Sequence, residues 1–245
     1  MRNPKEISET PKDNLIVSRL DVTCDDSVET LMKDIPRVDI LVNNAGYAIN
    51  GTHESNTMEQ VKQQFDTNFF GVVRMHRAVL PLMRAQKSGH IIGISSVGGL
   101  IGVPFNDIYC ASKFALEGLY ESMASTNLQL GIQTSLVEPG AIKTAFVANV
   151  DAPDPKDLPE EMKPVFDQYK QVMTATFESG SAQTADDVAA VIIRAIDDGE
   201  NNKASLRYQT SSYAETIAKA KVVDPTGNSL VQGSSARFFP SNKNQ

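Results

Sequence analysis

Short β-branched runs alternate with long segments of helical period along most of this chain, and that alternation leaves few architectures open. NLIVSRL (14–20) and RVDILVN (37–43) are strand-like and enclose the polar stretch DDSVETLMKDI (25–35), where Val28, Leu31 and Met32 recur at helical spacing. From Thr57 to Gln86 the apolar positions Val61, Phe65, Phe69, Val72, Val73, Leu80 and Met83 keep a helical period, interrupted at Pro81. HIIGIS (90–95) reads as a buried strand, 107–130 as a second long helix and IQTSLVE (132–138) as the next strand. A last helix and strand fall at 184–198 and 205–208. The order implies an α/β fold, a doubly wound parallel sheet with helices on both faces, in a single domain over 1–245.

Two departures from this rhythm are informative. Residues 145–180 open with the proline- and acid-rich DAPDPKDLPEEMKP and continue into a helix around 165–177; placed beyond the carboxyl end of a strand, they could form a substrate lid. The tail after Gln209 carries a turn signal, DPTG (224–227), and a polar end expected to be poorly ordered, with 240–245 disordered.

Composition narrows the function. A net charge of −7 with no basic run argues against a nucleic-acid partner. Two cysteines, Cys24 and Cys110, make no disulfide framework, and no zinc-type spacing joins them to His53, His76 or His90, so no metal is expected. No apolar run reaches the roughly 18 residues a membrane span needs, and MRNPKEISETPKD has no apolar core of a signal peptide; a cytoplasmic protein, at most peripheral to membranes, is expected.

The chemistry concentrates in SSVGGLIGVPFNDIYCASK. A free tyrosine phenol titrates near pH ~10, too high for acid–base work at neutral pH without help. Lys113 stands four residues after Tyr109, one helical turn on, where its ammonium can approach the phenol oxygen and lower its pKa. Ser96, at the end of the strand 90–95, can reach the same point and donate to a carbonyl oxygen. A hydroxyl, a tuned phenol and an ammonium around one oxygen suit hydride transfer at a carbonyl or alcohol carbon.

Taken with NNAG (43–46), the thirteen-residue step from Ser96 to Tyr109, YCASK (109–113) and EPGAIKT (138–144), the sequence resembles the short-chain dehydrogenase/reductase family. SSVGGLIGVPFNDIYCASKFALEGLYES resembles its branch of 17β-hydroxysteroid and photoreceptor-type retinol dehydrogenases. The resemblance implies a Rossmann-like sheet, a nicotinamide cofactor, a lipophilic steroid or retinoid substrate and an oxidoreductase that interconverts a hydroxyl with a ketone or aldehyde. It implies further that Tyr109 is the general acid/base, that Ser96 orients the substrate oxygen, and that Lys113 tunes Tyr109 and holds the nicotinamide ribose. Asn68, in FDTNFFGVVRMHRAVLP (65–81), falls on the fourth catalytic position, where a water would link Lys113 to a proton relay. Asp21 and Val22 match adenine contacts; Asn44, Ala45 and Gly46 match the adenosine ribose side; Gly140, Ile142 and Thr144 match the loop near the nicotinamide carboxamide and phosphates. For NNAG a role in stabilising the central sheet is equally open. The two long helices commonly form a dimer interface in this family, and Phe70, Leu116 and Met123 are compatible with one here.

The sequence lacks the family's usual first strand, glycine-rich loop, first helix and most of the second strand, which suggests N-terminal truncation. Gly98, Gly99 and Gly102 follow the strand 90–95 and read instead as a loop beside the substrate site. MRNPKEI resembles the end of the family's second strand, where Arg2 would face the 2′-phosphate, a lean toward NADP over NAD. Val103, Pro104, Phe105 and Val147 suggest an apolar neighbourhood for the substrate. The alternative is a non-catalytic truncated isoform or pseudoenzyme with impaired cofactor binding.

Overall fold

The computed structural model describes residues 14–144, 158–180, 182–224 and 226–239. Arg2, Val147, Pro225 of the DPTG turn, the first part of the expected lid (145–157) and the 240–245 tail lie outside the described residues. Four parallel strands pair in chain order: β1 (Ile40–Asn43), β2 (Gly89–Ile94), β3 (Ile132–Glu138) and β4 (Arg207–Gln209). Leu41 is opposite Ile91, Ile91 opposite Thr134 and Val137 opposite Tyr208, so the carboxyl ends of all four strands share one edge.

The helices in chain order are α1 (Asp25–Met32), α2 (Met58–Phe65), α3 (Gly71–Gln86), α4 (Asp107–Leu128), α5 (Lys163–Glu178), α6 (Ala185–Glu200), α7 (Ser212–Val223) and α8 (Asn228–Phe238). On one face of the sheet Val28 of α1, Val79 and Met83 of α3, and Leu116 and Tyr120 of α4 close on Ile91, Ile132 and Leu136. On the other, Val188 and Ala195 of α6 close on Ile92, Val137 and Tyr208. Ile91 and Ile92 thus serve opposite cores, the period-two consequence of a strand buried on both faces.

The run NLIVSRL does not form a strand. Residues 15–20 join no ladder, and Ile16 is 90% exposed. A strand persists only where its backbone groups find partners, and β1 pairs with β2 alone, leaving its other edge, with Ile40 and Val42, partly open among the described residues. The continuous helix expected over 57–86 is divided: α2, capped by a reciprocal Thr57–Gln60 box, passes through a π-helical turn at Asp66–Phe70 before α3 begins. Pro81 does not end α3. The segment after Gln209 holds α7 and α8, the second anchored by Phe238, which is buried against the aromatic cluster of Phe105, Phe166 and Tyr169. Leu116, read as compatible with a dimer interface, belongs to the core at 2% exposure.

Two buried histidines make the fold acid-sensitive. His76 Nε2 lies 3.0 Å from Asn43 Nδ2 and 3.2 Å from the Tyr120 hydroxyl, and His90 Nε2 lies 2.9 Å from Ser135 Oγ. Burial pushes both imidazoles down to about 4 from an ordinary 6.5. The unfolded chain therefore takes up these protons near 6.5 and the folded chain only near 4, so stability present above that window is lost as pH falls through it. Thermal unfolding should show a falling Tm between pH 7 and pH 4.5, and His76→Gln should flatten the slope; an unchanged slope would contradict the assignment.

Candidate active site

Ser96 leaves the carboxyl end of β2 and caps the short 3₁₀ turn Val97–Gly99, its Oγ accepting from Gly98 N–H at 3.0 Å. Tyr109 and Lys113 occupy the first two turns of α4, on one face of the helix. The approach to α4 is held by Phe105, which takes a left-handed backbone (φ 57°) while its ring packs 4.9 Å from Phe166 and 5.4 Å from Tyr169. Gly98 permits the close approach, since a Cβ there would stand 3.2 Å from Tyr109 Cε1 and 3.5 Å from Ser96 Oγ.

Tyr109 hydrogen-bonds Ser96, yet burial outweighs that bond and pushes the phenol up to about 12. The Lys113 ammonium stands 5.8 Å from the Tyr109 ring centroid and donates to the Ile94 carbonyl at 2.8 Å. Burial lowers it to about 8 against an opposing pull from Glu117. The expected lowering of the phenol by Lys113 is thus not realised by the protein alone: both groups are desolvated, and Lys113 is turned to a backbone carbonyl.

Asn68 sits in the π-helical turn and is fully buried. Its Oδ1 accepts from Tyr47 N–H at 3.1 Å, and its Nδ2 donates to the Tyr47 carbonyl at 3.0 Å and to Ser112 Oγ at 3.1 Å. Gln64, also fully buried, donates to the same Tyr47 carbonyl and accepts from Ile49 N–H. Two amides on successive turns therefore clamp the segment Tyr47–Ile49 that follows NNAG. Gly46 lies between that clamp and Lys113: a Cβ there would be 3.3 Å from Asn68 Oδ1 and 3.8 Å from Lys113 Nζ.

A cavity of about 1500 Å³ opens at the carboxyl ends of the strands. Ser96, Tyr109 and Lys113 line it together with Asn44, Gly46, Gly140, Ile142 and Thr144. Of the glycine cluster read as a loop beside the site, Gly98 lines the cavity, while Gly99 and Gly102 do not, Gly99 facing Ser95 and Glu117. Asp21, Val22 and Ala45 do not line it: Asp21 accepts from the Thr23 hydroxyl and backbone, while Val22 and Ala45 border a separate small crevice with Asn43. Asn43, the first residue of NNAG, ties β1 to α3 and α4 through His76 and Tyr120.

The cavity also draws on residues the sequence did not single out. Tyr169, Met173 and Phe177 of α5 line it, as do Tyr213 of α7 and Arg237 and Phe238 of α8. The helical spacing of 165–177 marks α5, but no periodic signal foretells α8, whose burial depends on an aromatic cluster assembled from three distant segments.

The family model for the short chain dehydrogenases matches residues 2–155. Retinol dehydrogenase 8 of Bos taurus is 39% identical over 232 residues, covering 92% of this chain and 73% of its own. Human 17-beta-hydroxysteroid dehydrogenase type 1 is 36% identical, covering 94% of this chain and 70% of its own. Among solved structures, a short-chain dehydrogenase/reductase from Burkholderia phymatum in complex with NAD superposes with a TM-score of 0.69 at 25% identity, over 88% of this chain and 76% of the other. The chain belongs to the short-chain dehydrogenase family, and its four-stranded parallel sheet with helices on both faces is that family's Rossmann-like fold.

Proposed function

We propose that this chain is an NAD(P)-dependent oxidoreductase that interconverts a hydroxyl with a ketone or aldehyde on a lipophilic substrate of the steroid or retinoid class. The observation that carries this reading is the convergence of Ser96, Tyr109 and Lys113 on one cavity whose far wall, at Val103, Tyr169, Met173, Phe177 and Phe238, is largely apolar. Relatives named for retinol and 17β-hydroxysteroid chemistry support the substrate class.

The residues present suit the nicotinamide end of a cofactor. An ammonium has three donors, and one of Lys113's goes to Ile94, which leaves donors for ribose hydroxyls. Asn44, Gly46, Gly140, Ile142 and Thr144 line the same cavity; on the resemblance Asn44 and Gly46 would border the adenosine ribose and Gly140, Ile142 and Thr144 the nicotinamide carboxamide and phosphates, while Asp21 and Val22 stay as adenine contacts on resemblance alone, and so does the Arg2-based lean toward NADP. When bound, the cofactor supplies or accepts the hydride at the substrate carbon. Tyr109, a phenol protonated at neutral pH and pushed further up by burial, gives its proton to the carbonyl oxygen in the reductive direction. Ser96 holds that oxygen in place. Asn68 fixes Tyr47 and, on the family reading, the water of a proton relay to Lys113. Helix α5 borders the cavity and would act as the lid, and a homodimer would form over the two long helical stretches, where Phe70 is exposed. A cytoplasmic setting accords with the described residues, where no helix is long and apolar enough to cross a membrane.

A non-catalytic chain is the second reading, and one observation favours it: among the described residues no strand passes through a glycine-rich turn directly into a helix N-terminus, the usual seat of a pyrophosphate. Turnover separates the two. With NADPH, purified protein should reduce retinal or a 17-keto steroid in preference to a small polar carbonyl such as pyruvate, followed by loss of reduced-nicotinamide absorbance. A preference for the polar carbonyl would overturn the substrate class, and no turnover with any of them would favour the non-catalytic chain.

A further inference from the structure

Along the face of α4 that carries Tyr109 and Lys113, the next turn presents Glu117, as deeply buried as Lys113 itself at 6% exposure. Glu138, the last residue of β3 and fully buried, meets it from the sheet. Arg207 of β4 reaches both: its Nε is 3.1 Å from Glu117 Oε2 and 3.2 Å from Glu138 Oε1, and its Nη2 is 2.6 Å from Glu121 Oε2 at the surface. Gln209 Nε2 donates to Glu138 Oε2 at 2.6 Å. The Ser95 hydroxyl lies against Glu117, and Gly99 leaves them room, since a Cβ there would be 2.6 Å from Ser95 Oγ and 3.1 Å from Glu117 Cγ.

Both carboxyl groups reach Arg207 Nε, yet each leaves an oxygen, Glu117 Oε1 and Glu138 Oε1, buried without a hydrogen bond among the described residues. Two carboxylates have acceptors only, so neither can satisfy the other unless a proton is shared between them. A pair that shares one proton carries one negative charge, opposite the single positive charge of Arg207. Burial, then like charge, raises Glu138 to about 7, and burial raises Glu117 as well. Desolvating such a cluster is costly, and packed apolar residues would serve stability as well or better. The other groups facing the pair are Lys113 and Glu121 from α4; the Val97–Gly99 turn carries no charge, and α7 places its Lys221 over the Phe114 ring.

We infer that Glu117 is a positioning residue of this site: it keeps Lys113 in its charged form, and Glu138 sets how much negative charge Glu117 has to offer by sharing a proton with it. This rests on the reading of Lys113 as the cation beside Tyr109, but its test needs no turnover. The ammonium is followed directly by NMR titration of protein labelled with [13Cε]lysine, with Lys113 assigned through Lys113→Arg. Glu117→Gln removes the carboxyl one turn on from Lys113 along α4, and the Lys113 midpoint should fall by about one pH unit, a tenfold loss of proton affinity. Glu138→Gln removes the competitor for the shared proton and leaves Glu117 ionised, so its midpoint should rise. A purely structural pair would move neither midpoint. An unchanged midpoint in Glu117→Gln, or an unchanged or lowered one in Glu138→Gln, overturns the inference, and either variant decides alone if the other does not fold. Opposed responses in a protein without turnover would leave the inference standing and remove the proposed function; uniform midpoints in an active enzyme would do the reverse.

Discussion

Replacing Tyr109 by phenylalanine is expected to cut turnover by about 10²- to 10⁴-fold, the usual contribution of a positioned acid–base group. The ring keeps its place against Gly98, where the contact is with Tyr109 Cε1 rather than the hydroxyl. What is lost is the proton donor and the bond to Ser96. Cofactor affinity should stay within a few-fold of the parent, since the Lys113 ammonium is held by the Ile94 carbonyl independently of the phenol. Steady-state kinetics beside a binding titration separates the two effects, and unchanged turnover in the variant would remove Tyr109 from its assigned role.

The second large effect concerns the scaffold. A Cβ at Gly93 would stand 2.5 Å from Tyr120 Cζ and 2.6 Å from its hydroxyl oxygen, and Tyr120 is fully buried. That hydroxyl also accepts from Asn43 Nδ2 at 3.0 Å, so the ring cannot retreat without opening the tie between β1, α3 and α4. Gly93→Ala should therefore destabilise by about 1–3 kcal/mol, the range for overpacked cores. In a chain of this size that is a fall in Tm of roughly 2–12 °C by calorimetry. An unchanged Tm would show that Tyr120 is free to shift.

Much of this molecule is legible from its residues, for identifiable physical reasons. The strands 90–95 and 132–138 announce themselves because both faces are buried, and a continuous apolar run is what such a position requires. Ser96, Tyr109 and Lys113 are legible because strand end and helix turn bring fixed spacings to one point. NLIVSRL misleads, since β-branched composition records what a strand would bury and not whether a neighbour is there to pair with it. The π-helical turn at Asp66–Phe70 is invisible to a 3.6-residue period, although it is what buries Asn68. The acid pair escapes for another reason: Glu117 looks like a solvated helix residue until β3 and β4 bring Glu138 and Arg207 against it. The direction of the Tyr109 shift likewise depends on burial, which spacing does not record.

A nicotinamide cofactor seated beside Ser96, Tyr109 and Lys113 should be seen when the purified chain is titrated with NADPH and nicotinamide fluorescence is followed. Saturable binding is expected, retained in Tyr109→Phe and weakened in Lys113→Met, which deletes the donors assigned to the ribose. No saturable binding up to about 1 mM, the upper end of ordinary substrate affinities, would contradict it.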